Sequence, residues 1–202
     1  MEASSLISTN ETVLMKTAFT VIKNPESDES SHVRLFFDSG SHRSYITQEL
    51  AEKLNLKEEG EQDIHLVTFG NSAAKKVTTK YTKLDVKLKS GKHMQITANI
   101  VPVISGELQR RVVKDLWSDD VQDIVRSVEL ADDIPTMNES SPIELLIGND
   151  YYLDFVQGEK ITVQKGLYLL ASKLGWILTG RVSDSHEVTQ ESNMLFSHTG
   201  IP

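Results

Sequence analysis

Hydrophobic and polar positions alternate along much of this chain in short runs, and the period is mostly that of strands. Thr12 to Ile22 is rich in β-branched residues and reads as a strand apolar on both faces. The polar loop Asn24 to Ser31 follows, and the chain re-enters an apolar run, Val33 to Phe37, so the two runs are expected to form a hairpin. Ile64 to Phe69 reads as a strand, Gly70 to Ala74 as a small turn, and Lys75 to Lys80 as the returning chain. Leu84, Val86 and Leu88 alternate with Lys83, Asp85, Lys87 and Lys89, a half-buried strand. Met94 to Val101 is its partner after a turn at Ser90-Gly91-Lys92, and Pro102 ends it. Ile143 to Ile147, Ile161 to Val163, Leu167 to Leu170 and Leu174 to Leu178 read as further strands, with Trp176 in the core and Gly166 and Gly175 at turns or bulges.

The helical period appears in few places. Ile46, Leu50 and Leu54 fall on one face of a short helix, with Thr47 as N-cap and Glu49 in its first turn. Residues 105–142 are polar and acidic, with helical spacing through Leu116, Val121, Ile124, Val125 and Val128, and Ser118 is placed to cap a helix from Asp119. That stretch reads as a helical insertion between two strands. After Gly148-Asn149-Asp150 a short helix is expected over Tyr151 to Val156, capped by Asp150 or Asn149. The pattern divides the chain into a tail (1–11), one domain (12–181, with the 105–142 insertion) and a polar, patternless tail or polyprotein linker (182–202).

Length and composition suit one globular domain: 202 residues, 39% hydrophobic and 25% charged. No apolar run reaches the roughly 18 residues of a membrane span, and the first ten residues do not resemble a secretion signal. There is no cysteine, which removes disulfides, thiol catalysis and thiolate metal sites. A net charge of −8 argues against a general nucleic-acid binder. Seven lysines between Lys75 and Lys92 face one acid, Asp85, and read as the solvated face of a sheet. The six histidines show no metal-ligand spacing, and no phosphate-binding loop, dinucleotide fingerprint or nucleophile elbow occurs. No metal and no cofactor are implied.

The distinctive stretch is Arg34-Leu35-Phe36-Phe37-Asp38-Ser39-Gly40-Ser41, where an apolar strand runs straight into an acid. An aspartate at the end of a buried strand is costly to ionise unless something there uses it, and Gly40 permits a sharp turn or a close approach. Asp38-Ser39-Gly40 resembles the active-site triplet of retropepsin-like aspartic proteases. Glu144-Leu145-Leu146-Ile147-Gly148-Asn149-Asp150 resembles the second motif of that family, and Ser172 to Gly180 (SKLGWILTG) is similar to a signature of the protease domain of BEL/Pao-type retrotransposon polyproteins. The three motifs occur in the family's order.

The resemblance implies a mainly β, retropepsin-like fold, a closed β-barrel half with short helices. Two carboxyls about 3 Å apart share one proton, so one can act as base and the other as acid on a peptide bond. A two-lobed enzyme would need two triplets in a longer chain; this chain has one. The second Asp38 would therefore come from a second copy in a two-fold homodimer. Ser39 would hydrogen-bond across the dimer, Gly40 and Ser41 would complete the active-site loop, and Phe69, Gly70 and Asn71 would cover substrate from a flap. Gly148 and Asp150 would be structural, since turn formation and capping explain Asp150 without chemistry. The implied function is an aspartic endopeptidase of a retroelement Gag-Pol-type polyprotein, cytoplasmic or in the element's particle, with a polyprotein or peptide as partner and neither nucleic acid nor membrane. The alternatives are a catalytically silent dimerisation or peptide-binding module, and a protease of cellular proteins like the retropepsin-like domains of ubiquitin-linked shuttles.

Overall fold

The computed structural model describes residues 11–66 and 75–183. The run expected as one strand over Thr12 to Ile22 is two strands, β1 (Glu11–Leu14) and β2 (Thr17–Lys23), which belong to different sheets. The break falls at Met15 and Lys16. Lys16 turns its carbonyl to Phe37 N (2.9 Å) and lays its ammonium 4.8 Å from the centre of the Tyr152 ring. A run apolar on both faces can serve two sheets in succession, and this one does.

β2 and β3 (Ser30–Phe37) form the expected antiparallel hairpin, in register from Thr17–Phe36 to Lys23–Ser30. Asn24 closes it. Its Oδ1 accepts from Glu26 N (2.8 Å), and its Nδ2 donates to the carbonyls of Leu54 and Asn55 (both 2.9 Å). Those carbonyls end α1 (Gln48–Lys53), whose N-cap Thr47 accepts from Leu50 N (3.3 Å). Ile46, Leu50 and Leu54 are all buried, as their spacing predicts, although Ile46 lies in β4 (Tyr45–Thr47), just ahead of the helix.

The hairpin of β5 (Glu58–Leu66) and β6 (Lys75–Lys87) comes next, and its tip lies outside the described residues. β6 is one long strand covering both the returning chain and the alternating Leu84–Val86 stretch. It pairs with β7 (His93–Val101) across a turn that needs positive φ at Gly91 (79°). β10 (Leu145–Ile147) then inserts between β3, to which it is parallel, and β4, to which it is antiparallel. The large sheet has the order β2-β3-β10-β4-β7-β6-β5, and β2 also pairs with β6 at Ile22–Val86 and Lys23–Asp85. Leu35, Phe37, Ile46, Leu84, Ile96, Leu145 and Ile147 fill the space it encloses. Each such side chain contributes about 1.5–3 kcal/mol when fully withdrawn from water.

The chain ends in β11 (Val156–Gln164), β12 (Leu167–Ser172) and β13 (Gly175–Ser183), which with β1 make a four-stranded sheet in the order β1-β13-β12-β11. The 105–142 stretch packs on this sheet. It holds β8 (Leu108–Arg110), a 3₁₀ turn (Lys114–Trp117), α2 (Asp119–Arg126) and β9 (Glu139–Ser141). Val113, Leu116, Val121 and Val125 bury themselves against Leu167 and Val182. Further along, Phe19 N donates to Ala131 O (2.8 Å), Ala131 N to Trp176 O (2.8 Å) and Trp176 N to Glu129 O (2.9 Å). The segment is thereby stitched between β2 and β13. Gly175 (φ 109°) is required there, because a Cβ would stand 2.8 Å from Glu129 O. Trp176 is half-buried at this seam, bridging to Leu130, and is not in the core as its sequence context suggests.

Candidate active site

Asp38 is the first residue beyond β3, where the apolar run stops and the backbone turns. Its N–H donates to Ile147 O (3.0 Å), and its carbonyl accepts from Ser41 N (3.2 Å). Its carboxylate Oδ1 accepts from Gly40 N (2.9 Å). Gly40 does not have positive φ; a Cβ there would approach Asp38 Oδ1 to 3.2 Å, so the glycine keeps space beside the carboxylate. Asp38 is half-buried, and Ser39 and Gly40 are exposed. Ser41 turns inward: its Oγ donates to Arg43 O (2.8 Å), and its carbonyl accepts from Asn149 N (2.7 Å).

The second motif locks this loop from below. Ser44 is fully buried; its N–H donates to Asp150 Oδ2 (3.0 Å) and its hydroxyl to Asp150 Oδ1 (2.7 Å). The same hydroxyl accepts from Gly148 N (3.0 Å). Gly148 passes so close to the loop that a Cβ would lie 2.2 Å from Arg43 O. Asp150 thus does not cap the following helix, α3 (Tyr152–Phe155), whose N-cap residue is Tyr151. Its two oxygens face inward donors because β10 enters beside β3 and brings the turn over Ser44. This gives Asp150 and Gly148 structural positions beside Asp38.

Asp38 and Ser41 lie on the wall of an open cleft of about 1080 Å³. Its apolar lining includes Leu56, Ile64, Val77, Ile100 and Leu146, and its polar lining Gln48, Glu52, Glu58, Glu61 and Lys80. Lys80 is paired with Glu58 (2.7 Å), and Gln48 with Glu52 (2.7 Å). Tyr45 also faces the cleft, and its phenol is held above the usual value by burial and by the nearby Asp150 charge, against an opposing pull from Arg43. The expected flap residues Phe69, Gly70 and Asn71 lie outside the described residues, although the strands that would carry them, β5 and β6, line the cleft.

Sequence reading missed part of this wall. The end of β7 at Val101 and the following Pro102 to Ile104 run along the cleft, with Val103 71% exposed. The signal was present as a cluster of aliphatics around a strand-ending proline, which reads on sequence only as a strand terminus. Ser44 gave no signal, because its value depends on a partner far along the chain. Among the described residues, no group of three or more His, Asp or Glu is placed to hold a metal ion.

The strand that leads into Asp38-Ser39-Gly40 lies parallel beside the strand that leads into Gly148-Asn149-Asp150. Residues 20–190 match the family described as "Putative peptidase (DUF1758)", and the chain belongs to that family. No curated protein matches it. Among solved structures it is similar to the retroviral protease-like domain of Ddi1 from Leishmania major, at 10% identity, covering 86% of this chain and 99% of that one, with a TM-score of 0.31.

Proposed function

We propose that this chain is an aspartic endopeptidase that works as a two-fold homodimer. The observation that carries the reading is the Asp38 carboxylate, oriented by Gly40 N and set on the wall of a cleft large enough for an extended peptide. Within the chain, both oxygens of the neighbouring Asp150 are engaged by Ser44, so the second carboxyl is best supplied by Asp38 of another copy. The exposed Ser39 and Gly40 are free to meet that copy. One carboxylate would take a proton from water as the water oxygen bonds to the peptide carbonyl carbon. The partner's protonated carboxyl would then supply a proton to the amide nitrogen as the C–N bond breaks. The peptide would lie along the cleft as an added strand, with its side chains in alternate pockets. The family resemblance points to a retroelement polyprotein as substrate, processed in the cytoplasm or in the element's particle.

The test is cleavage of a mixed peptide library at mildly acidic pH and high enzyme concentration, beside Asp38→Asn. Cleavage that disappears in Asp38→Asn is the expected result. Equal cleavage by both proteins overturns the assignment of Asp38, and no cleavage by either favours a silent peptide-binding module. Specific activity should fall on dilution through the dimer dissociation range. Constant activity in a solution of monomers would refute the shared site. Cut sites that occur in cellular proteins and not at polyprotein junctions would redirect the substrate assignment.

A further inference from the structure

The cleft-lining hairpin is only half anchored. β6 pairs with β7 from Tyr81–Asn99 to Lys87–His93. Beyond Tyr81, residues Lys75 to Lys80 pair only with Glu61 to Leu66 of β5 in the described sheet. The hairpin therefore continues past its last pair with β7 as a cantilever, and it lines the cleft at Ile64 and Val77 to Lys80.

Asn99 stands at the root of that cantilever. It is 2% exposed, in a strand whose neighbours Ala98 and Ile100 pack on the core. Both ends of its amide go to the hairpin. Oδ1 accepts from Gln62 Nε2 (2.7 Å), and Nδ2 donates to Thr79 Oγ1 (2.6 Å). Gln62 and Thr79 are themselves partners in the β5–β6 register, so one buried amide grips a single rung of the projecting part from both strands. The main chain of Asn99 looks the other way. Its N–H donates to Ser44 O (2.9 Å), and Ser44 is the residue that Asp150 and Gly148 lock beneath the Asp38 loop. A buried amide carries a desolvation cost that an aliphatic residue would avoid. What it supplies is direction, because hydrogen bonds fix distance and angle where apolar packing permits sliding.

We propose that Asn99 is a positioning residue that clamps the root of the β5–β6 hairpin to the frame of the Asp38 loop, so that this wall of the cleft stays in register with the Asp38 carboxylate. This rests on the peptidase reading for its effect on turnover, but not for its effect on the hairpin. Losing the clamp frees the hairpin while leaving the core and the Asp38 loop in place.

Amide hydrogen exchange on the whole chain tests it, with peptide kinetics alongside. In Asn99→Leu, the amides of Gln62 to Ile64 and Val77 to Thr79 should exchange at least about tenfold faster, the scale of one or two lost hydrogen bonds. Those of β2–β3 and β12–β13 should keep their protection. KM for a cleaved peptide should rise by about tenfold with kcat changed much less, because the hairpin holds substrate and does not react with it. Gln62→Leu and Thr79→Val each remove one of the two bonds and should show smaller increases at the same amides. They carry the test if Asn99→Leu does not fold. Unchanged hairpin exchange in the folded variants overturns the proposal, and so does protection lost equally in all sheets. A chain that cleaves nothing would sink the peptidase reading and leave the exchange result to decide the clamp.

Discussion

Asp132, from the stretch between β7 and β10, places its Oδ2 2.8 Å from Arg34 Nε in the strand that leads into Asp38. The carboxylate side chain is 6% exposed and the guanidinium 17%. Thr17 donates its hydroxyl to the same oxygen (2.7 Å), and Arg110 approaches the other to 3.6 Å. The added stretch is thus held to the body by charge as well as by the Val113–Val125 apolar face.

Removing one partner from such a cluster should be worse than removing both. Asp132→Ala removes the most buried acid of the cluster and leaves Arg34 and Arg110 with the more exposed Asp133 and Glu139 as partners, so the expected loss is about 1–3 kcal/mol. Replacing Arg34 and Asp132 together by Met and Leu should recover much of that loss, since the paired apolar groups need no desolvation. Chemical denaturation of the two variants checks this. A double variant as unstable as Asp132→Ala would show that the pair itself contributes net stability.

Ser44 and Asp150 give a second expectation. Asp150→Asn keeps a carbonyl oxygen for Ser44 N but turns an N–H toward the Ser44 hydroxyl, which must rotate to accept it and so leaves its own buried proton without the carboxylate acceptor. The cost should be about 1–3 kcal/mol, or several degrees in melting temperature. Ser44→Ala should cost a similar amount, because it removes both a donor to Asp150 and the acceptor of Gly148 N. A double-mutant cycle by thermal melts would show non-additivity if they act as one unit. Independent, additive losses would contradict the lock described here.

The parts of this arrangement that were legible in sequence are those with local causes. The β2–β3 hairpin, α1 with its Thr47 cap, the Lys83–Lys89 alternation and the three closing strands each follow from spacing and turn residues within a short window. The break at Met15 and Lys16 does not, because both halves of the run are equally apolar and only the second sheet reveals the switch. Asp150 misleads in the same way. A carboxylate just before a short helix favours the capping reading, and only the entry of β10 beside β3 shows that its donors come from Ser44. Asn99 has no signature at all, since its partners Gln62 and Thr79 are brought to it by the register of two other strands. The Asp38 loop was legible because an acid at the end of a buried strand conflicts locally with its surroundings.

Gly148 offers the sharpest steric test. A methyl group there meets Arg43 O at 2.2 Å and Arg43 C at 2.4 Å, both backbone atoms that cannot swing aside. Gly148→Ala must push the turn away from the Asp38 loop, with a loss of several kcal/mol, at the upper end for a single substitution. By contrast, Gly158→Ala has open space and should be close to neutral. Comparing soluble yield and denaturation midpoints of the two checks the close approach. A stable, native-like Gly148→Ala would mean the loop and turn are farther apart than described.

Tyr45 supplies a pH dependence with a definite sign. Burial and the charge of Asp150 hold its phenol above the usual value near 10, with Arg43 opposing them. The folded chain therefore keeps this proton to higher pH than the unfolded chain does. Between the ordinary tyrosine value and the raised one, the native state binds more protons than the unfolded state. The associated stability is complete below about pH 10 and is lost as pH rises through the folded value. Tyr45→Phe should consequently show a shallower fall in denaturation midpoint on the alkaline side than the parent chain, with similar behaviour near neutrality. The tyrosinate absorbance lost in Tyr45→Phe should be the part that develops above about pH 10. Asp150→Asn should bring that component down, because it removes one of the two causes. If the Tyr45 component instead titrates at or below the ordinary value, and Asp150→Asn leaves it there, the phenol is not held in the cleft wall beside that carboxylate.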